Sequence, residues 1–83
     1  MSVVLQAAGL TFRVRWSERE QDYVGTVQEL PALRVLYGNQ DAALAGILRR
    51  TARELAGDNA SEGNVERAQV LRDTLAEIES SSN

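Results

Sequence analysis

The chain has no cysteine, no histidine and no lysine; all nine of its basic residues are arginine. Without cysteine there are no disulfides, no thiolate metal sites and no cysteine nucleophile. Without histidine the commonest general base and the commonest transition-metal ligand are missing. Hydrolase triads and zinc sites in their usual forms are therefore excluded. Aromatic residues make up only 5% and there is one proline. No apolar run approaches the roughly 18 residues that a membrane span needs, and the opening residues do not lead one to expect a signal peptide. The expectation is a small cytoplasmic domain that is not an enzyme and carries no cofactor.

What is present fits one domain with one small core: 83 residues, 43% hydrophobic and 25% charged. The net charge of −3 is unevenly placed. Residues 1–39 are neutral and residues 40–57 carry +1. Residues 58–83 set Arg67 and Arg72 against Asp58, Glu62, Glu66, Asp73, Glu77 and Glu79, a net −4. Such a segment repels nucleic acid and attracts a basic partner.

Residues 1–9 are short and apolar, an edge strand or an ordered arm. In Thr11–Trp16, Phe12, Val14 and Trp16 alternate with Thr11, Arg13 and Arg15, and period two argues a strand with one buried face. Residues 17–22 are polar and read as a loop. Tyr23–Val27 resumes β-type residues with Gly25 as its weak point, so an antiparallel hairpin is expected. Pro31 ends that strand, and Leu33–Tyr37 is a third. Asn39 suits a helix N-cap and Asp41 suits the positive end of the helix dipole. From about Gln40 to Ala56, the residues Ala43, Leu44, Ile47, Leu48, Thr51, Ala52 and Leu55 form one stripe at helical spacing. Gly57 is placed for a left-handed helix stop. Residues 58–64 form a polar linker, and a second helix spans 65–79, with Ser80–Asn83 frayed. Strands followed by helices argue an α+β fold: an antiparallel β-β-β-α unit over residues 1–57, then an acidic C-terminal helix.

Glu18, Glu20 and Asp22 crowd one loop, but a calcium loop needs five or six ligands at set positions and a glycine at its sharp turn. This loop has neither, and a solvated hairpin explains it. Arg13 and Arg15 share one face of a strand and Arg34 joins them if register allows; this is either a phosphate-contacting face or an exposed face kept soluble. Trp16 continues an apolar face yet sits at the strand end, where a ring can line a partner surface. Ala68, Leu71, Leu75 and Ile78 are spaced as an a/d seam two heptads long. The seam needs cover, either from its own domain or from an identical helix. The second option makes these four residues an oligomerisation surface and the protein a homo-oligomer.

The stretch Phe12–Ile47, F-R-V-R-W-S-E-R-E-Q-D-Y-V-G-T-V-Q-E-L-P-A-L-R-V-L-Y-G-N-Q-D-A-A-L-A-G-I, resembles the N-terminal domain of HicB-family antitoxins. The family pattern runs V-x-W-S/D, a polar turn, Y-V-A/G-x-V, E-F/L-P-x-L, and a helix opening T-x-x-E-A-L. Its counterparts here are Val14–Ser17, Tyr23–Val27, Glu29–Leu33 and Asn39–Leu44, in order and without a gap. The resemblance implies a partial RNase H-like β-β-β-α unit lacking catalytic carboxylates. It also implies a HicA-like basic toxin as partner, an mRNA-cleaving protein blocked by being covered.

Two positions depart from the pattern. Asn39 replaces the usual Thr, which keeps the cap, and Ala42 replaces Glu, which removes a first-turn carboxylate. Many such antitoxins also carry a C-terminal DNA-binding module. Residues 58–83 offer one helix with −4, so this chain alone is expected not to bind DNA specifically. The expected partner-binding residues are Trp16, Glu18, Glu20, Asp22, Tyr23 and Glu29, an aromatic anchor inside an acidic rim. The alternatives are a structural or regulatory interaction domain without a toxin, or RNA binding through Arg13, Arg15 and Arg34.

Overall fold

The alternation of apolar and polar residues that marks Leu10–Ser17 as a strand organises the whole molecule. In a computed structural model that describes residues 2–81, this strand, β2, pairs with β1 (Ser2–Ala7) and with β3 (Asp22–Val27). β3 in turn pairs with β4 (Arg34–Tyr37), giving one antiparallel sheet in the order β1-β2-β3-β4. Two helices follow, α1 (Gln40–Leu55) and α2 (Glu62–Ser81). The fold is α+β, as expected, with the N-terminal segment settled as a full strand. Val3, Leu5 and Ala7 are its half-buried positions and Ser2, Val4 and Gln6 its exposed ones. Val4 masks that alternation in the sequence, because it is an apolar residue on the wet face.

The β1–β2 connection is a two-residue turn, with Ala8 (φ 55°) and Gly9 (φ 73°) both left-handed, the geometry that matches strand twist. One face of the sheet carries Leu10, Phe12, Val14 and Val27, all at most 4% exposed. Against it α1 lays Ala43, Ile47, Leu48, Ala52 and Leu55. Gly25 marks the crossing: a Cβ there would stand 2.9 Å from the Ala43 carbonyl oxygen of α1. The residue that weakens the strand by propensity is the one that admits the helix. Asn39 caps α1 as expected, its Oδ1 accepting from the Ala42 N–H at 2.7 Å.

α2 differs from its expectation. It begins at Glu62, because Ser61 is its cap: Ser61 Oγ accepts from the Asn64 N–H at 3.1 Å. Gly63 sits in the first turn, where it interrupts nothing. The link between the helices therefore shrinks to residues 56–61, and its left-handed residue is Asn59 (φ 65°), not Gly57. The helix continues through Ser80 and Ser81 instead of fraying from Ser80; residues 82–83 lie outside the described part. α2 packs along α1 and shares its core: Ala68 and Leu71 are fully buried and Ile78 is packed at the margin. No helix among the described residues is long and apolar enough to cross a membrane.

Candidate partner surface

The β2–β3 hairpin places Trp16 and Tyr23 directly opposite each other, and Tyr23 opposite Tyr37 on β4. Three aromatic side chains thus form a row across the sheet on its helix side. Trp16 and Tyr23 meet edge to face, with centroids 5.2 Å apart and planes at 69°, a geometry the ring quadrupoles favour. Trp16 and Tyr37 each remain 38% exposed. Tyr37 lies on the backbone of α1 at Gly46, where a Cβ would overlap its ring. A buried mid-helix glycine costs helix propensity, about 1 kcal/mol relative to alanine, and the Tyr37 ring is the reason it sits there. Tyr37 carried no signal in the sequence beyond ending a strand.

The loop beyond the aromatic pair is ordered by its own hydrogen bonds. The Gln21 N–H donates to the Ser17 carbonyl at 2.8 Å, and the Gln21 amide donates to the Glu18 carbonyl at 2.7 Å. Gln21 takes φ 56° to close it. Glu18 and Glu20 are not equivalent. Arg34 Nη2 donates to Glu20 Oε1 at 2.6 Å, and the other carboxylate oxygen of Glu20 is enclosed without a partner. Glu20 is thus folded back over the sheet rather than presented at a rim. Glu18 makes only a long 3.5 Å side-chain contact with Gln21. The Asp22 carboxylate accepts no hydrogen bond and forms no ion pair among the described residues.

Glu29 departs furthest from its expected place. In an antiparallel hairpin the strand exit lies at the opposite end from the loop. Thr11 and Ser17 are six residues apart on β2, on the order of 20 Å at the strand rise. Glu29 sits at the Thr11 end, accepting from the Thr11 N–H at 2.8 Å and from Thr11 Oγ1 at 3.1 Å. The Thr11 backbone N–H holds its carboxyl below the usual 4.5, with further help from the Thr11 hydroxyl and from Arg67. It closes the sheet where β3 has ended, and it is not beside Trp16.

The open face of the sheet carries Arg13 and Arg15 on β2 and Arg34 on β4, so register does bring the three to one side. Arg34 is engaged by Glu20. Val24 lies between Arg15 and Leu36 on this open face yet is only 1% exposed. No aromatic side chain lies on this face. Ala68 and Leu71 are 0% exposed within one chain, and Leu75 and Ile78 are half-buried. The first half of the seam is therefore covered by α1 and the sheet of its own chain, and the half at Leu75 and Ile78 only in part. No group of three Asp or Glu among the described residues could hold a metal ion.

No family model matches this chain, and neither a curated protein nor a solved structure matches it.

Proposed function

We propose that this chain is a non-enzymatic protein-binding module of the antitoxin kind, which binds and blocks a small basic mRNA-cleaving toxin like HicA. The observation that carries the reading is the exposed Trp16, set edge-on to a half-buried Tyr23, at the end of the sheet where two carboxylates of the adjoining hairpin, Glu18 and Asp22, have no arginine partner among the described residues. A surface that binds RNA is basic, and a protein that covers it needs the opposite sign around an apolar anchor. The resemblance over Phe12–Ile47 supports the same assignment. Glu20 and Glu29 leave the proposed contact set, because Arg34 and Thr11 already hold them. Trp16, Glu18, Asp22 and Tyr23 remain, and Tyr37 extends the aromatic row.

The RNA-binding alternative is weaker. It retains Arg13 and Arg15 as unpaired cations, but on a face with no ring for a base to stack on. Specific DNA binding by this chain alone is not part of the proposal, since α2 is net acidic and packed against α1.

The direct test is to look for a small basic protein encoded beside this one and to co-express the two. The expected outcome is suppression of its toxicity and a complex that survives purification. Trp16→Ala should raise the dissociation rate at least tenfold, in the range of a lost aromatic anchor. A neighbour that is harmless, or that stays toxic beside folded wild-type protein, would falsify the assignment.

A further inference from the structure

A sheet edge offers a row of unpaired N–H and C=O groups, and proteins usually guard it with charge, proline, a bulge or brevity. The two edges of this sheet differ in that respect. β4 has four residues and includes Arg34, which is bridged to Glu20. β1 has six residues, S-V-V-L-Q-A, with no charge and no proline, and it pairs in regular register with β2 throughout. Its outermost apolar side chain, Val4, is 55% exposed.

We infer that β1 is the pairing edge for a second copy of this chain, joining two four-stranded sheets into one of eight strands. A two-fold axis that pairs two β1 strands antiparallel must stand normal to the sheet, which keeps both helix layers on one side. Opposite residues then share a face, so the register is limited to partners of like parity. Centred on Val4, it sets Val4 against its own copy outside and Val3 against Leu5 inside. Ser2 then faces Gln6. No like charges meet anywhere along the strand, which is why a second copy fits it.

The helix above the joint qualifies the association. Arg67 Nε donates to the Ala8 carbonyl at 3.0 Å, so α2 lies along the β1 side of the molecule. Arg72 and Leu75 line its groove with α1. Half a turn round the helix from them stand Val70, 45% exposed, and the acidic Glu66 and Glu77. In the paired form these flanks face one another, Val70 adding apolar contact and the carboxylates adding repulsion. Edge pairing with so small an apolar supplement buries less than the roughly 800 Å² per partner of a standard interface. The dimer is accordingly weak, with dissociation on the order of micromolar. Salt should strengthen it a few-fold by screening the acidic flanks, the opposite of the response expected for a complex with a basic toxin.

Sedimentation velocity of the full chain across concentrations near that range, at low and moderate salt, is the test. The wild type should show a reversible dimer favoured by salt, and its β1 amides should gain exchange protection as concentration rises. Val4→Lys and Val4→Glu, each checked for unchanged thermal unfolding, should sediment as monomers. Mixed one to one, they should restore the dimer, since opposite charges then meet at the centre of the joint. A wild type that stays monomeric, a dimer that persists in both variants, or a mixture that stays monomeric overturns the pairing as stated. So does β1 protection that appears only when the basic neighbour is added, for then the edge serves another chain. None of these outcomes depends on whether the neighbour is a toxin.

Discussion

The two ends of the sheet are built from similar residues and do opposite things with them. At the β1–β2 turn, Glu29 is clamped to Thr11, Arg67 is bonded to the Ala8 carbonyl, and Leu10, Val27, Leu33, Leu55 and Ala68 are buried together. At the β2–β3 loop, Trp16 and Tyr37 are more than a third exposed, and neither Glu18 nor Asp22 has an arginine partner. One end uses its carboxylate to finish the fold, and the other engages Glu20 but leaves Glu18 and Asp22 without a cation. A surface carboxylate without a cation, or a ring left open to solvent, adds little to the stability of the chain that carries it. Its use has to be sought in what the chain meets.

The contrast breaks most severely in the core of the closed end. Leu71 is 0% exposed and belongs to the cluster that joins α2 to α1 and the sheet. Leu71→Asp forfeits about 2–3 kcal/mol of apolar burial and adds the cost of an unpaired buried charge, several kcal/mol more. Small domains have on the order of 5–10 kcal/mol in all. The variant should therefore be largely unfolded at 25 °C, with cooperative melting lost in circular dichroism. Retention of a wild-type melting temperature would mean that α2 is a solvated tail and that the closed end does not extend to it.

How much of this contrast was legible beforehand depends on the range of the interactions involved. Period two in β2 and the helical stripe of α1 are local patterns, and both were readable, as was the Asn39 cap. The start of α2 was missed although Ser61 is a good local cap, because Gly63 and Asn64 made the segment look like linker. The site was harder. Glu18, Glu20 and Asp22 look alike in sequence, and only the partner of each separates them. The Glu20–Arg34 bridge spans 14 positions and the Glu29–Thr11 clamp 18. Glu29, at the strand exit, groups with the loop carboxylates only by residue type; strand direction puts it at the far end. Tyr37 joined the aromatic row through register alone.

A milder perturbation of the closed end is acid. Glu29 has a folded pKa below its ordinary 4.5. The ionised form is therefore the one the fold favours: its contribution is fully present above about pH 4.5 and is lost as pH falls through the lower folded value. Glu29→Gln keeps the shape and one acceptor but removes the charge. It should melt below the wild type at neutral pH, and the gap should narrow steadily as the pH is taken below about 4. A gap that is constant with pH would show that the hydrogen bonds to Thr11 matter and the charge does not.

The smallest effect on stability belongs to the open end, and it separates the two ends most cleanly. Glu18→Lys and Asp22→Lys alter side chains without an ion pair in the folded chain, so melting should move by no more than about 0.5 kcal/mol in equivalent stability. If that end meets a basic partner, the same changes act on encounter. Charges at an interface rim mostly set the association rate and its salt dependence, and dissociation follows the buried anchor. The double variant should associate with the basic neighbour at least several-fold more slowly at low salt. The difference should fade as ionic strength rises and the Debye length shrinks below about 8 Å. Glu20→Lys supplies the comparison within the same loop. It places a cation beside Arg34 and strands that guanidinium, so it should cost stability, which the other two do not. Equal stability losses at all three positions would mean that the loop is one structural unit, and the distinction between engaged and uncommitted carboxylates would fall.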